Sequence, residues 1–170
     1  MKADVERAYG ELTKAVSEAL LPGGYRRSGN TFRARNGDNW KLINLQRSTK
    51  STKASVLFTA NLGVFLARLA EFDAATFGRA PKVPLASDCH LRVRLGELDD
   101  PATERWWILD RETQLTEVTL QVTQRLETEA VPLLDKYSAD EHLRDLWLSG
   151  RSPGLTKVQR LRYLAVCCQP

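Results

Sequence analysis

Seven polar side chains carry the chemistry that this sequence offers: Arg33, Asn44, Gln46, Asn61, His90, Arg92 and Arg94. Asn44 and Gln46 are two residues apart, as are His90, Arg92 and Arg94, and in an extended chain that interval puts side chains on one face. Amide and guanidinium groups held on a rigid sheet can fork onto carboxylate or phosphate oxygens. Trp40 and Phe65, at the same parity, would add flat apolar contact. The expectation is a binding face for a polar or anionic partner. The plainer alternative leaves these groups solvated, or pairs them with Glu127, Glu129 and Asp135 from C-terminal helices, since antiparallel sheets commonly keep one face wet. Asn44, Gln46 and Asn61 would then only satisfy backbone groups.

Catalysis has less support. His90 and His142 are the only histidines, and neither stands in a triad, metal-ligand or phosphate-loop spacing. No catalytic residue, metal ligand or cofactor is expected. His90 as a general base opposite Arg92 and Arg94 is the alternative that remains. Asp88, Cys89 and His90 cannot act together on a strand, because neighbours point to opposite faces; Cys89 is assigned to the core with Leu91, Val93 and Leu95.

Charge is unevenly spread. From Tyr25 to Lys53 run Arg26, Arg27, Arg33, Arg35, Lys41, Arg47, Lys50 and Lys53 against Asp38 alone, whereas Glu97 to Glu117 is mostly acidic. This implies either a charged partner or internal pairing. Basic residues interleaved with Tyr25, Phe32 and Trp40 make nucleic-acid binding the alternative, by phosphate contact and base stacking. No helix-turn-helix, zinc-finger, RNP or KH signature accompanies them. Trp40, Trp106, Trp107 and Trp147 favour a protein partner, as tryptophan is enriched at interface hot spots. A partner-neutralising or immunity-type role suits a small protein without catalytic motifs. Oligomeric state is not legible.

The elements that must position these residues follow from periodicity. A chain of 170 residues is expected to form one α+β domain. Val5, Tyr9, Leu12, Val16 and Leu20 predict a helix over 4–20, stopped at Leu21-Pro22-Gly23-Gly24. Thr31–Arg35, Asn39–Arg47 and Val56–Leu66 alternate as strands, with Asn36-Gly37-Asp38 a hairpin turn. Asp88–Leu95 alternates likewise, and Trp106–Leu109 is a further short strand. Residues 66–77 allow a short helix before Pro81 and Pro84. Leu115 to Leu133 has helical spacing, bent or ended near Pro132. Ser138 with Glu141, and Thr156 with Gln159, read as capping boxes for two more helices. The result is an N-terminal helix, a largely antiparallel sheet of about five strands, and C-terminal helices on one face. No stretch reads as a membrane span, the N-terminus is too acidic for a signal peptide, and Cys89, Cys167 and Cys168 lack framework spacing, so a cytosolic protein is expected.

Leu21-Pro22-Gly23-Gly24-Tyr25-Arg26-Arg27-Ser28-Gly29-Asn30-Thr31-Phe32, Ile43-Asn44-Leu45-Gln46 and Phe58-Thr59-Ala60-Asn61-Leu62-Gly63 resemble the bacterial "domain of unknown function 4304" family, over roughly Leu12 to Leu66. The glycine pair before Tyr25 departs from that family's usual single glycine. The resemblance implies a small cytosolic bacterial α+β protein and carries no catalytic residue with it.

Overall fold

The computed structural model describes residues 2–169. Helix α1 (Lys2–Leu20) ends in a short 3₁₀ turn, Leu21–Gly23, closed by Gly24 at φ +79°. A left-handed backbone is what glycine tolerates at a helix end. Strands β1 (Arg26–Ser28), β2 (Thr31–Asn36), β3 (Asn39–Arg47) and β4 (Val56–Phe65) then form an antiparallel meander in spatial order. Helix α2 (Ala67–Phe77) follows, and β5 (Leu91–Arg94) and β6 (Trp107–Leu109) both pair antiparallel with β4, at Asn61–Val64 and Val56–Phe58 respectively. Helices α3 (Leu115–Arg125), α4 (Val131–Tyr137), α5 (Asp140–Leu148) and α6 (Lys157–Cys167) complete the α+β fold.

Strict alternation divides the sheet. Ile43, Leu45, Phe58, Ala60, Leu62 and Leu91 face a main core that they share with Leu12 and Val16 of α1, Val122 of α3, Leu134 of α4 and Trp147 of α5. Burial of aliphatic and aromatic surface at roughly 25 cal/mol per Å² is the driving term for that layer. The opposite face carries a smaller cluster, Leu42, Phe65, Ala70 and Cys89 with Trp40 against it, which α2 covers.

Three local expectations are corrected. The strand expected over Asp88–Leu95 is shorter, because Ala86–Asp88 and Leu95–Leu98 are 3₁₀ turns on either side of β5. Cys89 therefore leaves the alternation: its thiol lies on the Leu42 face, where a Cβ on Gly63 would come within 2.5 Å of Sγ. Ser138 does not cap α5. It is fully buried, donating to the Asp135 carbonyl and accepting from Asn36 Nδ2, and so ties the β2–β3 turn to the end of α4. The Thr156–Gln159 capping box is present as expected.

Pro132 marks a change of pitch rather than an end. A π turn, Leu126–Ala130, joins α3 to α4, and Pro132 sits in the first turn of α4. Proline offers no N–H to the preceding ladder and crowds the carbonyl one turn back, so a wider turn ahead of it relieves both.

Candidate functional site

Strand register brings most of the expected residues together. Thr31, Asn44, Asn61 and Arg94 lie side by side across β2, β3, β4 and β5, and Arg33, Leu42, Gly63 and Arg92 form the next row. Asn44, Gln46, Asn61, Arg92 and Arg94 line one open groove of about 610 Å³, with Ser87, Glu97 and Gly154 at its margins. That volume lies in the range of small-ligand and peptide-anchor sites. The amides are partly self-satisfied: Asn44 Nδ2 donates to Thr31 Oγ1 at 2.9 Å, and Asn61 Nδ2 donates to Gln46 Oε1 at 2.8 Å. These bonds fix the amide planes while leaving further donor and acceptor capacity on each group.

Two expected members sit elsewhere. Arg33 does not line this groove; its Nε donates to the Pro84 carbonyl at 2.9 Å and anchors the loop that follows α2. His90 is 1% exposed, stacked on Phe65 and edge-on to Tyr163. Its Nδ1 accepts from the Leu66 backbone N–H at 3.0 Å, which leaves the proton on Nε2 to be donated to Asp73 at 3.3 Å. Tyr163 O–H donates to the same carboxylate at 3.0 Å. Burial first and then Asp73 raise the Tyr163 hydroxyl pKa, so it stays a donor throughout the physiological range. With both ring nitrogens engaged, His90 is a structural hydrogen-bonding residue that joins β4, α2 and α6. A general base facing Arg92 and Arg94 would need a free nitrogen.

The face is also not free of acids. Glu97, from the turn after β5, accepts from the Arg94 N–H at 2.9 Å, and Glu104 pairs with the Arg94 guanidinium. Arg92 donates from Nη2 to the Gly154 carbonyl and from its backbone N–H to the Pro153 carbonyl at 3.4 Å. None of these partners is one of the helical carboxylates anticipated from sequence. Asp135 instead holds Lys41, and Glu129 holds Arg125, both on the helix side of the sheet.

Charge asymmetry along the chain resolves in the same way. Arg47 makes two hydrogen bonds to Glu6, and Asp99 receives Arg125 and Arg105. Thr103 first, and then these arginines, hold the Asp99 carboxyl below its usual range. Lys41 and Arg47 of the basic stretch thus pair with acids outside the acidic stretch, and Asp99 is held from α3 and by Arg105 of its own stretch, so none of these pairs joins the two. Tyr25 and Phe32 are in the main core, so they offer no stacking surface; Trp40 is half-buried with the Arg35 guanidinium 3.7 Å from its ring centre. Trp107 and Trp147 are core residues as well, which leaves Trp106 and Trp40 as the accessible pair.

A second groove of about 430 Å³ adjoins the first through Ser87 and Arg92, walled by Asp73, Cys89, Gln159 and Tyr163 among others. Burial pushes the Cys89 thiol up to about 12 and Cys167 up to about 11, whereas Cys168 is exposed. Since the thiolate is the nucleophile, brief iodoacetamide treatment of the native protein at pH 8 should add one adduct, at Cys168; denaturant should release the other two. Intact mass followed by peptide mapping checks this. The sign of the linkage is set by the raised pKa values: both buried thiols favour the neutral state, so their contribution is full below the ordinary thiol pKa of 9.0 and declines as pH rises beyond it.

Ser87, Glu97 and Gly154 were not legible as site residues. Each arrives through a turn that tertiary packing folds back onto β5. Only the turn signal Ser152-Pro153-Gly154 was present in the sequence, with no indication of where it would land.

Residues 16–136 match the family described as "Domain of unknown function (DUF4304)". The chain belongs to that family. The match runs from near the end of α1 through most of α4, so it includes every strand of the sheet and the groove residues Asn44, Gln46, Asn61, Arg92 and Arg94. Helices α5 and α6 and the Pro153-Gly154 turn lie beyond the matched residues. No curated protein and no solved structure matches the chain. The family's description names no activity. Among the described residues no helix is long and apolar enough to cross a membrane.

Proposed function

We propose that this chain is a non-enzymatic binding module that takes an acidic segment of another protein in the groove over β3, β4 and β5. The observation that carries the reading is the convergence of Asn44, Gln46, Asn61, Arg92 and Arg94 on one open groove. Those side chains recognise oxygen acceptors: guanidinium groups by charge and geometry, amides by hydrogen bonds that need no charge. Acceptors already occupy both arginines in the free protein, which supports the chemistry assigned to the partner. A bacterial cytosol is the setting we assign, with three thiols free and two of them buried. A partner-neutralising, immunity-type role is compatible with a groove that binds without transforming.

Nucleic acid is the competing ligand class, and its support is reduced to phosphate contact, because the aromatic residues available for stacking are mostly buried. The two are separated by titrating an alternating Glu-Thr decapeptide and a ten-residue oligothymidylate into the isotopically labelled protein. Side-chain amide resonances of Asn44, Gln46 and Asn61 are followed. The peptide is expected to shift all three, with an affinity that falls as sodium chloride is raised. Shifts with the oligonucleotide alone would transfer the site to nucleic acid; silence with both at millimolar concentration would remove it.

A further inference from the structure

Both arginines of β5 use their backbone as well as their side chains, and the partners follow one pattern. On the edge of β5 away from β4, the Arg92 N–H is taken by the Pro153 carbonyl and the Arg94 N–H by the Glu97 carboxylate. Their guanidinium groups are taken by the Gly154 carbonyl and the Glu104 carboxylate. A free sheet edge offers alternate donors and acceptors to any extended chain laid beside it, and proteins commonly cover such edges. Here the cover is a set of backbone carbonyls and carboxylates, the same groups that an extended acidic peptide would present.

The Pro153-Gly154 turn meets β5 through two hydrogen bonds to Arg92, while Leu155 beside it packs on the main core and closes the turn by bonds to Ser152. Gly154 has φ +76°, and a Cβ there would fall 2.5 Å from Arg92 Cβ and 2.8 Å from the Arg92 carbonyl oxygen, so only glycine permits this approach. The turn's neighbours are independently anchored. Trp147 and Leu143 of α5 are in the main core, Leu164 and Cys167 of α6 pack against it, and Tyr163 is bonded to Asp73. The turn can therefore lift from β5 while the helices on either side stay in place. It also lies outside the residues matched to the family, whereas β5 lies inside them.

Resting on the acidic-partner reading above, we infer that the Pro153-Gly154 turn is an internal stand-in for the partner: an extended acidic segment displaces it and adds along the outer edge of β5. The incoming backbone carbonyls take the Arg92 N–H, and its carboxylates take the Arg92 and Arg94 side chains. Strand addition of this kind draws affinity from main-chain hydrogen bonds and specificity from alternate side chains. The resident turn lowers the apparent affinity by the fraction of time it occupies Arg92.

Gly154→Ala and Gly154→Val test this in the full chain, with the Glu-Thr decapeptide as probe. Two quantities are read: deuterium exchange at the Arg92 N–H, and peptide affinity by calorimetry. Both variants are expected to speed that exchange in the free protein and to bind the peptide about five- to tenfold more tightly, the factor recovered when a competing internal contact is removed. The peptide should also slow exchange at the Arg92 N–H. Faster exchange with unchanged or weaker affinity overturns the inference, and so does unchanged exchange in both variants, since the turn would then not be displaceable. Wild-type binding that persists in either case leaves the acidic-partner reading standing; absence of binding to all three proteins removes both.

Discussion

Replacing His90 with alanine is expected to lower the unfolding free energy by about 3–5 kcal/mol, a large share of the ~5–15 kcal/mol available to an ordinary domain. Three losses combine. The Leu66 N–H is left buried without its acceptor, at about 1–3 kcal/mol. Asp73 keeps Tyr163 but loses its second donor, in a position where α2 meets α6. The ring itself, packed between Phe65 and Tyr163, leaves a cavity whose walls cannot fully close. For a chain of this size each kcal/mol moves Tm by about 2–4 °C, so a fall of about 10 °C is anticipated in a thermal melt. Gln46→Ala, at an exposed position in the groove, is the contrast and should stay within about 0.5 kcal/mol. A His90 variant as stable as the Gln46 variant would show that the buried network contributes nothing.

The second large effect concerns binding. Replacing Arg92 and Arg94 together with alanine should weaken the acidic decapeptide by about thirtyfold or more, from roughly 1 kcal/mol for each partly screened charge-assisted contact. Stability should change far less. Both side chains are half-buried, and the groups they hold are turn carbonyls and an exposed carboxylate, which water can satisfy once the arginine is gone. Tm is expected to fall by no more than about 3 °C. The salt dependence of binding should flatten in the double variant, because the charges responsible for it have been removed. A variant that melts much earlier yet binds as well as wild type would assign these arginines to the fold rather than to a partner.

These two expectations divide residues that look alike in the sequence. His90, Arg92 and Arg94 share a parity and a polar character, and strand alternation alone puts them on one face. That inference held for the arginines because Gly63 and Asn61 of β4 fix their register. For His90 it gave the face, beside Phe65, but not the groove: the strand begins only at Leu91, and beyond its end the chain is placed by what packs there, here α2 and α6. Cys89 was misplaced for the same reason. The capping box at Thr156 was legible because all its atoms lie within one turn; the one at Ser138 was not, because Asn36, a hundred residues earlier in the chain, competes for the hydroxyl.

Local sequence therefore determined what local forces decide: the helices, the antiparallel strands, the tight turns, and which side of β3 and β4 each residue occupies. Period-2 and period-3.6 burial patterns and backbone preferences at glycine and proline act over a few residues, and they can be read without coordinates. Tertiary structure alone decided what covers the second sheet face. Helix α2 buries one end of it, the Glu97 and Glu104 carboxylates reach Arg94, and the Pro153-Gly154 turn closes on Arg92. Each of these is a contact between segments with no pairing signal between them, set by where the packed helices leave the chain. Whether a polar row on a strand becomes a groove, a salt-bridge network or a buried joint is settled by those neighbours, and in this protein one sheet face contains all three.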